Sequence, residues 1–225
     1  AARGHRPFVA IPVFPSRTFR HRCIFVNTAA GVRRVEDLRG RRMGVPEYSM
    51  TAAVWLRGLF QHEYAVHPGD IHWVQAGEEH PGRKDRVDFE MPPGVRLESR
   101  PDTTLNAMIE QGEIDAMMSP RMPTCFLQGS PRVERLFPDY RQVEMDYFRR
   151  TGLFPIMHVI MIRRSIYEKE PWVAQTLYKA FCDAKDICMR ALYDTNILRV
   201  SLPWTSAEYE DTRNLMSADY WPYGL

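Results

Sequence analysis

Short strand-like runs alternate with helix-like stripes along this chain, and that alternation most restricts the folds it can adopt. Apolar runs of strand length occur at residues 7–14, 23–27, 42–45, 71–75, 114–118 and 155–162. Apolar residues at helical spacing lie between them: Ala52, Leu56, Leu59 and Phe60, then Leu105, Met108 and Ile109 before Gly112, then Val173, Leu177, Phe181, Ala184, Cys188 and Ala191 after Pro171. Strands that alternate with helices predict parallel βαβ units, and therefore an α/β fold.

Two stretches refine this prediction. Residues 155–162, PIMHVIMI, are almost continuously apolar, which is typical of one strand buried on both faces. Residues 77–93 are polar and contain several Pro and Gly residues, which predicts a loop. Ser49 is the expected N-cap of the helix that follows it.

Composition limits the class of partner. The chain has 225 residues, enough for one large domain or two small lobes, and a formal net charge of +2. So weak a field predicts neither nucleic-acid nor membrane binding. Of the 30 basic residues 26 are arginines, whose planar fork suits carboxylates, although a GC-rich genome that encodes Arg for Lys is the simpler explanation for most of them.

The sequence contains no metal or cofactor motif. The four cysteines form no C-x-x-C pair, and His62 and His67 are five residues apart, not the four of a zinc-protease helix. No glycine-rich nucleotide loop and no G-x-S-x-G motif occurs. We therefore expect no metal and no cofactor. Scattered, reduced and mostly buried thiols, with no apolar leader, favour a cytoplasmic protein.

Both ends of the chain look cut. The sequence begins shortly before a strand and ends on the aromatic segment 220–225, which we expect to need a partner surface. A buried parallel sheet also needs more strands than the first and last thirds supply. The expectation is a fragment of a longer protein, and association into a homo-oligomer stays open.

Two loops carry candidate ligand-binding residues. Arg17, Arg20 and His21 lie between two strands, where α/β folds place ligands, and two guanidinium groups can hold a dianion there. A solvated basic turn explains the same pattern. Tyr48 and Ser49 precede a helix whose free N–H groups suit a carboxylate, while plain capping by Ser49 is the alternative.

Two further positions are less specific. His158 interrupts the apolar run at 155–162, where it is either a hydrogen-bonded core histidine or a proton donor that titrates near neutrality. Ser119 and Arg121 follow the strand at residues 114–118, again at a strand end. Spacing does not decide between a ligand clamp and a surface position for Arg121.

Several long segments, in one order, resemble the 4,5-dihydroxyphthalate decarboxylases. They are AIPVFPSRTFRH, DLRGRRMGVPEYSMTAAVWLRG, GEIDAMMSP, RVERLFPDY, TGLFPIMHVIMIRR and PWVAQTLYKAF. DLRGRRMGV and GEIDA indicate only the wider superfamily of type II periplasmic-binding-protein-like folds. PVFPSRTFRH and FPIMHVI favour the decarboxylase branch.

The resemblance implies two α/β lobes with a ligand cleft between them. Residues 1–29 and 152–225 would form the first lobe and residues 30–151 the second. The family's further N-terminal and C-terminal segments have no counterpart here, which puts the activity of this chain alone in doubt. The implied activity is a carboxy-lyase reaction in phthalate degradation, with a small aromatic dicarboxylate as the partner and no cofactor.

The resemblance and the chemistry together suggest roles for nine residues. Arg17 and Arg20 would clamp the carboxylates, with Ser49, Thr51 and the helix N-terminus on the other lobe. His158 is the first candidate for the general acid and His21 the second. Tyr48 would stack on the ring or bond a hydroxyl, and Ser119 and Arg121 would be weaker contacts.

Two alternatives stay open. The same two lobes can bind an aromatic carboxylate and deliver it to an ABC transporter without chemistry, because fold does not determine function. Related lobed enzymes that act on menaquinone or thiamine precursors are a third interpretation.

Overall fold

The computed structural model describes residues 6–224. The strands are β1 (Phe8–Ala10), β2 (Ser16–Arg17), β3 (Ile24–Asn27), β4 (Arg42–Val45), β5 (His72–Gly77), β6 (Arg96–Thr104), β7 (Ala116–Met118), β8 (Val133–Arg135), β9 (Ile156–His158) and β10 (Met161–Arg163). The helices are α1 (Thr51–Tyr64), α2 (Leu105–Gln111), α3 (Thr124–Leu127), α4 (Tyr140–Thr151), α5 (Arg164–Lys169), α6 (Trp172–Tyr193) and α7 (Thr205–Met216). The α/β class predicted from the alternating pattern is confirmed.

The chain divides into two compact units. Phe19–Glu144 forms one continuous unit, here called the inserted unit. The described residues up to Thr18 and those from Met145 onward form the other, here called the terminal unit. The lobe boundaries that the family resemblance implies, at residues 29–30 and 151–152, stay a prediction.

The inserted unit is built on a six-stranded sheet in the order β6-β5-β4-β7-β3-β8. The neighbours among β6, β5, β4 and β7 are parallel, as the βαβ pattern predicts. Strand β3 runs antiparallel to both β7 and β8, so the sheet is mixed. The carboxyl ends of β4 and β5 therefore lie at the same edge of the sheet.

Helix α1 buries the predicted stripe. Its buried residues are Ala52, Ala53, Leu56, Leu59 and Phe60. The expected N-cap was wrong: Met50 is the capping residue, and the hydroxyl of Ser49 is bonded to Asp85 instead.

Helix α2 packs close to the sheet and ends where predicted. Gly112 takes the left-handed conformation that stops the helix, with φ of 76°. Gly44 of β4 permits the close approach, since an added Cβ would lie 2.6 Å from Leu105 Cδ2 and 2.8 Å from Ile114 Cδ1. Burial of these apolar side chains is the main stabilising term of the unit.

The terminal unit carries two short antiparallel pairs, β1 with β10 and β2 with β9. The single strand expected at residues 155–162 is thus two strands, interrupted at Val159 and Ile160. The expectation of burial on both faces was also wrong, because Met157 and Ile162 are buried while His158 and Met161 are exposed. Each half pairs with a single partner strand, so it lacks the neighbours that bury a central parallel strand.

Helix α6 spans the predicted region but buries little of its stripe. Val173, Leu177 and Phe181 pack against a small core of Ile11, Val13 and Ile162. The predicted positions Ala184 and Cys188, further along, are exposed. The described C-terminal aromatics pack on their own chain: Trp221 Nε1 donates to the carbonyl oxygen of Phe14 at 2.8 Å.

Within residues 6–224, no helix combines the length and the apolar character that crossing a membrane requires. All four cysteines are free thiols; Cys23 and Cys125 are buried, Cys182 is half-buried and Cys188 is exposed.

Candidate active site

A cavity of about 680 Å³ lies at one edge of the inserted unit. It is lined by Met50, Glu78, Glu79, His80, Pro81, Gly82, Arg83, Pro120, Arg121, Met122 and Thr124. These residues come from the loops that follow β5 and β7 and from the start of α1. Loops at the carboxyl ends of strands are where open α/β sheets bind ligands.

Glu78 and Ser119 form a buried polar pair at this cavity. Glu78 is 9% exposed and follows β5 directly, and Ser119 is 1% exposed and follows β7. The Ser119 hydroxyl is hydrogen-bonded to Glu78 Oε1 and also lies 2.5 Å from the carbonyl oxygen of Arg121. Burial raises the pKa of the Glu78 carboxyl above its ordinary value, against the opposing effects of Ser119, Arg121 and Arg83.

A buried ion pair holds the loop between β5 and β6, here called the cavity loop, to the segment that follows β4. Glu47 is 5% exposed, and its Oε1 accepts from Arg83 Nε at 2.9 Å and from Arg83 Nη2 at 2.7 Å. Arg86 Nε lies 3.6 Å from the same oxygen. The loop between β5 and β6 is therefore anchored by charge, although its composition predicts only an irregular segment.

The carboxylate of Asp85 occupies the start of the α1 region. It accepts from the backbone N–H of Tyr48 at 3.1 Å, from that of Ser49 at 2.9 Å, and from the Ser49 hydroxyl. These N–H groups bind a carboxylate, as predicted, but the carboxylate here belongs to the chain itself. A substrate role for Ser49 stays a prediction, and it requires the Asp85 carboxylate to move away from the Ser49 hydroxyl and N–H. Thr51 is exposed at the first turn of α1, and its substrate role also stays a prediction.

Tyr48 is buried in a cluster of aromatic and basic side chains. The Arg57 guanidinium lies 3.7 Å from its ring centroid, Phe89 stacks on it at 5.9 Å, and Trp73 meets it edge-on at 5.6 Å. Arg57 Nη1 also donates to the Tyr48 carbonyl at 2.7 Å. Tyr48 is 4% exposed, so the predicted stacking on a substrate ring requires movement of a neighbour such as Phe89.

His21 lies in a short turn before β3, and it is 2% exposed. Its Nδ1 is 4.0 Å from Glu144 Oε1, which also accepts the backbone N–H of Arg22 at 3.2 Å. Burial raises the pKa of Glu144 to about 6, while the nearby charges of Arg22 and Arg20 oppose that shift. The predicted residue Arg20 is half-buried, with Nη1 3.7 Å from Cys23 Sγ.

Arg17 is held by backbone carbonyls of the terminal unit. Its Nη1 donates to Phe154 O at 3.1 Å and its Nη2 donates to Pro222 O at 2.9 Å. Arginine has five N–H donors, and these two bonds leave others for a ligand carboxylate. Partial burial lowers the pKa of Arg17 from its ordinary value.

His158 is exposed at the end of β9, so it is not the buried histidine that the sequence predicts. In the register of β2 with β9, His158 faces Ser16 and Ile156 faces Arg17. The structure therefore places His158 and Arg17 on paired strands. An exposed imidazole is accessible to a ligand, which the core alternative did not allow.

The predicted residues thus form separate groups within each unit. Ser119 and Arg121 lie near each other beside the cavity, whereas Arg17 and His158 belong to the paired strands β2 and β9. Sequence reasoning missed Glu78, which lies three residues after the predicted strand at residues 71–75, and this place near a strand end could have identified it. Arg57 gave no comparable signal.

Among residues 6–224, no three His, Cys, Asp or Glu side chains are grouped as metal ligands.

Comparison with known proteins decides the family. No protein-family profile matches the chain. The chain is 40% identical to a 4,5-dihydroxyphthalate decarboxylase of Comamonas testosteroni over 225 residues, which is all of this chain and 68% of that protein. The chain belongs to the 4,5-dihydroxyphthalate decarboxylase family. The resemblance drawn from the sequence segments is confirmed.

The chain is also similar to two further proteins. A 4,5-dihydroxyphthalate decarboxylase of Pseudomonas putida is 41% identical over 149 residues, 66% of this chain and 58% of that protein. Among solved structures, the periplasmic aliphatic sulphonate binding protein SsuA from Escherichia coli matches with a TM-score of 0.45 and 19% identity. That match covers 93% of this chain and 60% of SsuA.

Proposed function

We propose that the protein carrying this chain is a carboxy-lyase that converts 4,5-dihydroxyphthalate into 3,4-dihydroxybenzoate and CO2. The observation that carries the proposal is the 40% identity to the Comamonas testosteroni enzyme along the whole chain. The chain spans 68% and 58% of the lengths of the two relatives it matches. We therefore assign the activity to the complete protein.

The substrate's own ring can supply the chemistry. Each hydroxyl of 4,5-dihydroxyphthalate is para to one carboxylate. Protonation of the ring carbon that bears the carboxylate, with loss of the para phenolic proton, gives a dienone. Loss of CO2 from the dienone then restores the aromatic ring. The protein must hold two carboxylates, protonate a ring carbon and exchange a phenolic proton.

The residues of the chain can meet these needs. Arg17 has spare N–H donors for a carboxylate, and Arg20 is the proposed second clamp. Exposed His158 is the proposed general acid, and buried His21 is the second candidate. These assignments rest on the chemistry and on the exposed position of His158, whose strand β9 pairs with the strand β2 that carries Arg17.

The test is to incubate the full-length protein with 4,5-dihydroxyphthalate and to follow CO2 and 3,4-dihydroxybenzoate. We expect stoichiometric release of both products. Binding of the dicarboxylate without any CO2 would overturn the proposal and favour a solute-binding protein. Cell fractionation tests the proposed cytoplasmic location.

Two variants test the residue assignments. Replacing His158→Ala should lower kcat by about 10²–10⁴-fold, the usual contribution of a general acid. His62→Gln is the matched control, since His62 is an exposed histidine of α1. Arg17→Ala should weaken substrate binding, and unchanged affinity in that variant removes the clamp assignment.

A further inference from the structure

The hydroxyl of Ser119 has two hydrogen-bond acceptors within reach. One is Oε1 of Glu78, and the other is the carbonyl oxygen of Arg121 at 2.5 Å. A serine hydroxyl has one hydrogen to donate and two lone pairs with which to accept. It can therefore donate to only one of these two oxygens at a time.

This geometry accommodates both protonation states of Glu78. When Glu78 is ionised, the Ser119 hydroxyl donates to its carboxylate. When Glu78 is protonated, its O–H donates to Ser119, whose own hydrogen then turns to the Arg121 carbonyl. The Ser119 hydroxyl can thus be a donor to the ionised carboxylate or an acceptor from the protonated carboxyl. Glu78 can therefore gain and lose a proton without leaving a buried polar group unsatisfied.

The pair lies where a ligand can reach it. Glu78 lines the 680 Å³ cavity together with two arginines, Arg83 and Arg121, and with the carboxylate of Glu79. The Glu79 carboxylate is already occupied, because its Oε1 accepts from the N–H of Thr124 at 2.9 Å. Arg83 is paired with Glu47, so Arg121 is the arginine that supplies positive charge to an oxygen that becomes negative during reaction. Partial burial of Glu78, which raises its pKa, makes it a stronger base than an exposed glutamate.

We propose that Glu78 is a catalytic residue that takes the phenolic proton from the substrate and later returns it, with Ser119 as its positioning residue. The inference rests on the proposed decarboxylase function. It adds a group that the family resemblance did not supply, and it leaves the protonation of ring carbon to a different acid.

As the general acid forms a C–H bond at the carboxylated ring carbon, Glu78 takes the proton of the para hydroxyl, and the ring becomes a dienone. The bond to the carboxylate then breaks, CO2 leaves, and the electron pair returns to the ring to give a phenolate. Glu78 returns its proton to that phenolate. Each turnover thus consumes one proton, which stays on the product ring carbon.

The test compares Glu78→Gln and Glu78→Asp in the full-length protein. We expect Glu78→Gln to lower kcat by about 10²–10⁴-fold, with substrate affinity changed only a few-fold and the Glu78 ionisation lost from the pH profile. Glu78→Asp should recover part of the rate because it restores a carboxyl group. Ser119→Ala should shift the pH profile, and Ser119→Thr should restore it. Glu113→Gln is the control, since Glu113 is a surface glutamate paired with Arg100 at 3.2 Å.

A wild-type rate in Glu78→Gln would overturn the inference. The inference would also be overturned if Glu78→Gln lost rate and substrate affinity by the same factor and kept the pH profile of the wild type. Infrared difference spectra upon binding of 3,4-dihydroxybenzoate give a readout independent of turnover. A protonated-carboxyl band that is present in the wild type and missing in Glu78→Gln supports proton exchange by Glu78, and identical spectra oppose it. If the wild type releases no CO2, the proposed function fails on that result, while the spectra still decide whether Glu78 exchanges a proton with a bound phenol.

Discussion

Removal of Arg83 should expose how strongly the cavity loop depends on one buried charge. The Glu47 side chain is 6% exposed, and both Arg83 contacts converge on its Oε1, at 2.9 and 2.7 Å. In Arg83→Ala the carboxylate keeps only Arg86 nearby among the charges described, at 3.6 Å and on a side chain that is 82% exposed. Breaking a fully buried pair costs about 3–5 kcal/mol, and since Arg83 is itself 37% exposed we expect about 2–3 kcal/mol here.

The double variant separates the lost contact from the stranded charge. Glu47→Gln removes the charge and keeps the shape, so Glu47→Gln with Arg83→Ala should be more stable than Arg83→Ala alone by about 1 kcal/mol or more. Urea denaturation of all variants at one pH measures these free energies of unfolding. Arg86→Ala is the control for loss of an exposed arginine and should cost less than about 0.5 kcal/mol.

Two results would refute this reasoning. Arg83→Ala could lose less than about 0.5 kcal/mol, as an exposed pair does. The double variant could also be no more stable than Arg83→Ala, which would mean that the buried carboxylate tolerates isolation.

Two further predictions concern backbone space and pH. Gly77→Ala should destabilise the protein by at least about 2 kcal/mol, because the new Cβ would collide with the backbone carbonyl of His80. Gly58→Ala, at an open position of α1, should stabilise the protein by about 0.5–1 kcal/mol. Equal thermal midpoints for the two variants would contradict this prediction. Glu144 has a folded-state pKa of about 6 against an ordinary value of 4.5, so its protonated form is favoured by folding and its contribution is lost as pH rises through about 6. Compared with Glu144→Gln, the wild type should therefore lose up to about 2 kcal/mol between pH 4 and 7 in denaturant titrations, and parallel pH curves for the two proteins would contradict the assignment.

Periodicity predicted several elements of the inserted unit, because each of these elements follows a single pattern. The stripe from Ala52 to Phe60 and the stop at Gly112 follow from helical spacing and from the freedom of glycine at positive φ. The sequence pattern did not predict strand β6, because Arg96–Thr104 contains few apolar residues. The strand lies at the edge of the sheet, where it pairs with β5 by backbone hydrogen bonds and does not have to bury an apolar face.

The candidate site was less predictable, because long-range contacts decide it. Nothing near Ser49 in the sequence shows that the Asp85 carboxylate will accept hydrogen bonds from the N–H groups of Tyr48 and Ser49. Nothing near Glu78 shows that the Ser119 hydroxyl will be hydrogen-bonded to it. His158 looked buried because its neighbours are apolar, yet the strand that carries it pairs on one side with a two-residue partner. The family resemblance supplied the function, while the geometry supplied the buried carboxyl.

The contact between Arg17 and the Pro222 carbonyl has a practical consequence for protein engineering. A guanidinium group near the start of the chain takes its orientation from a carbonyl 205 positions later. The N–H of Gly224, bonded to Pro12 O at 2.9 Å, ties the same two stretches together. A purification tag or crosslinker attached immediately after Pro222 would therefore disturb Arg17 directly, and an affinity handle is better inserted on the exposed surface of α7.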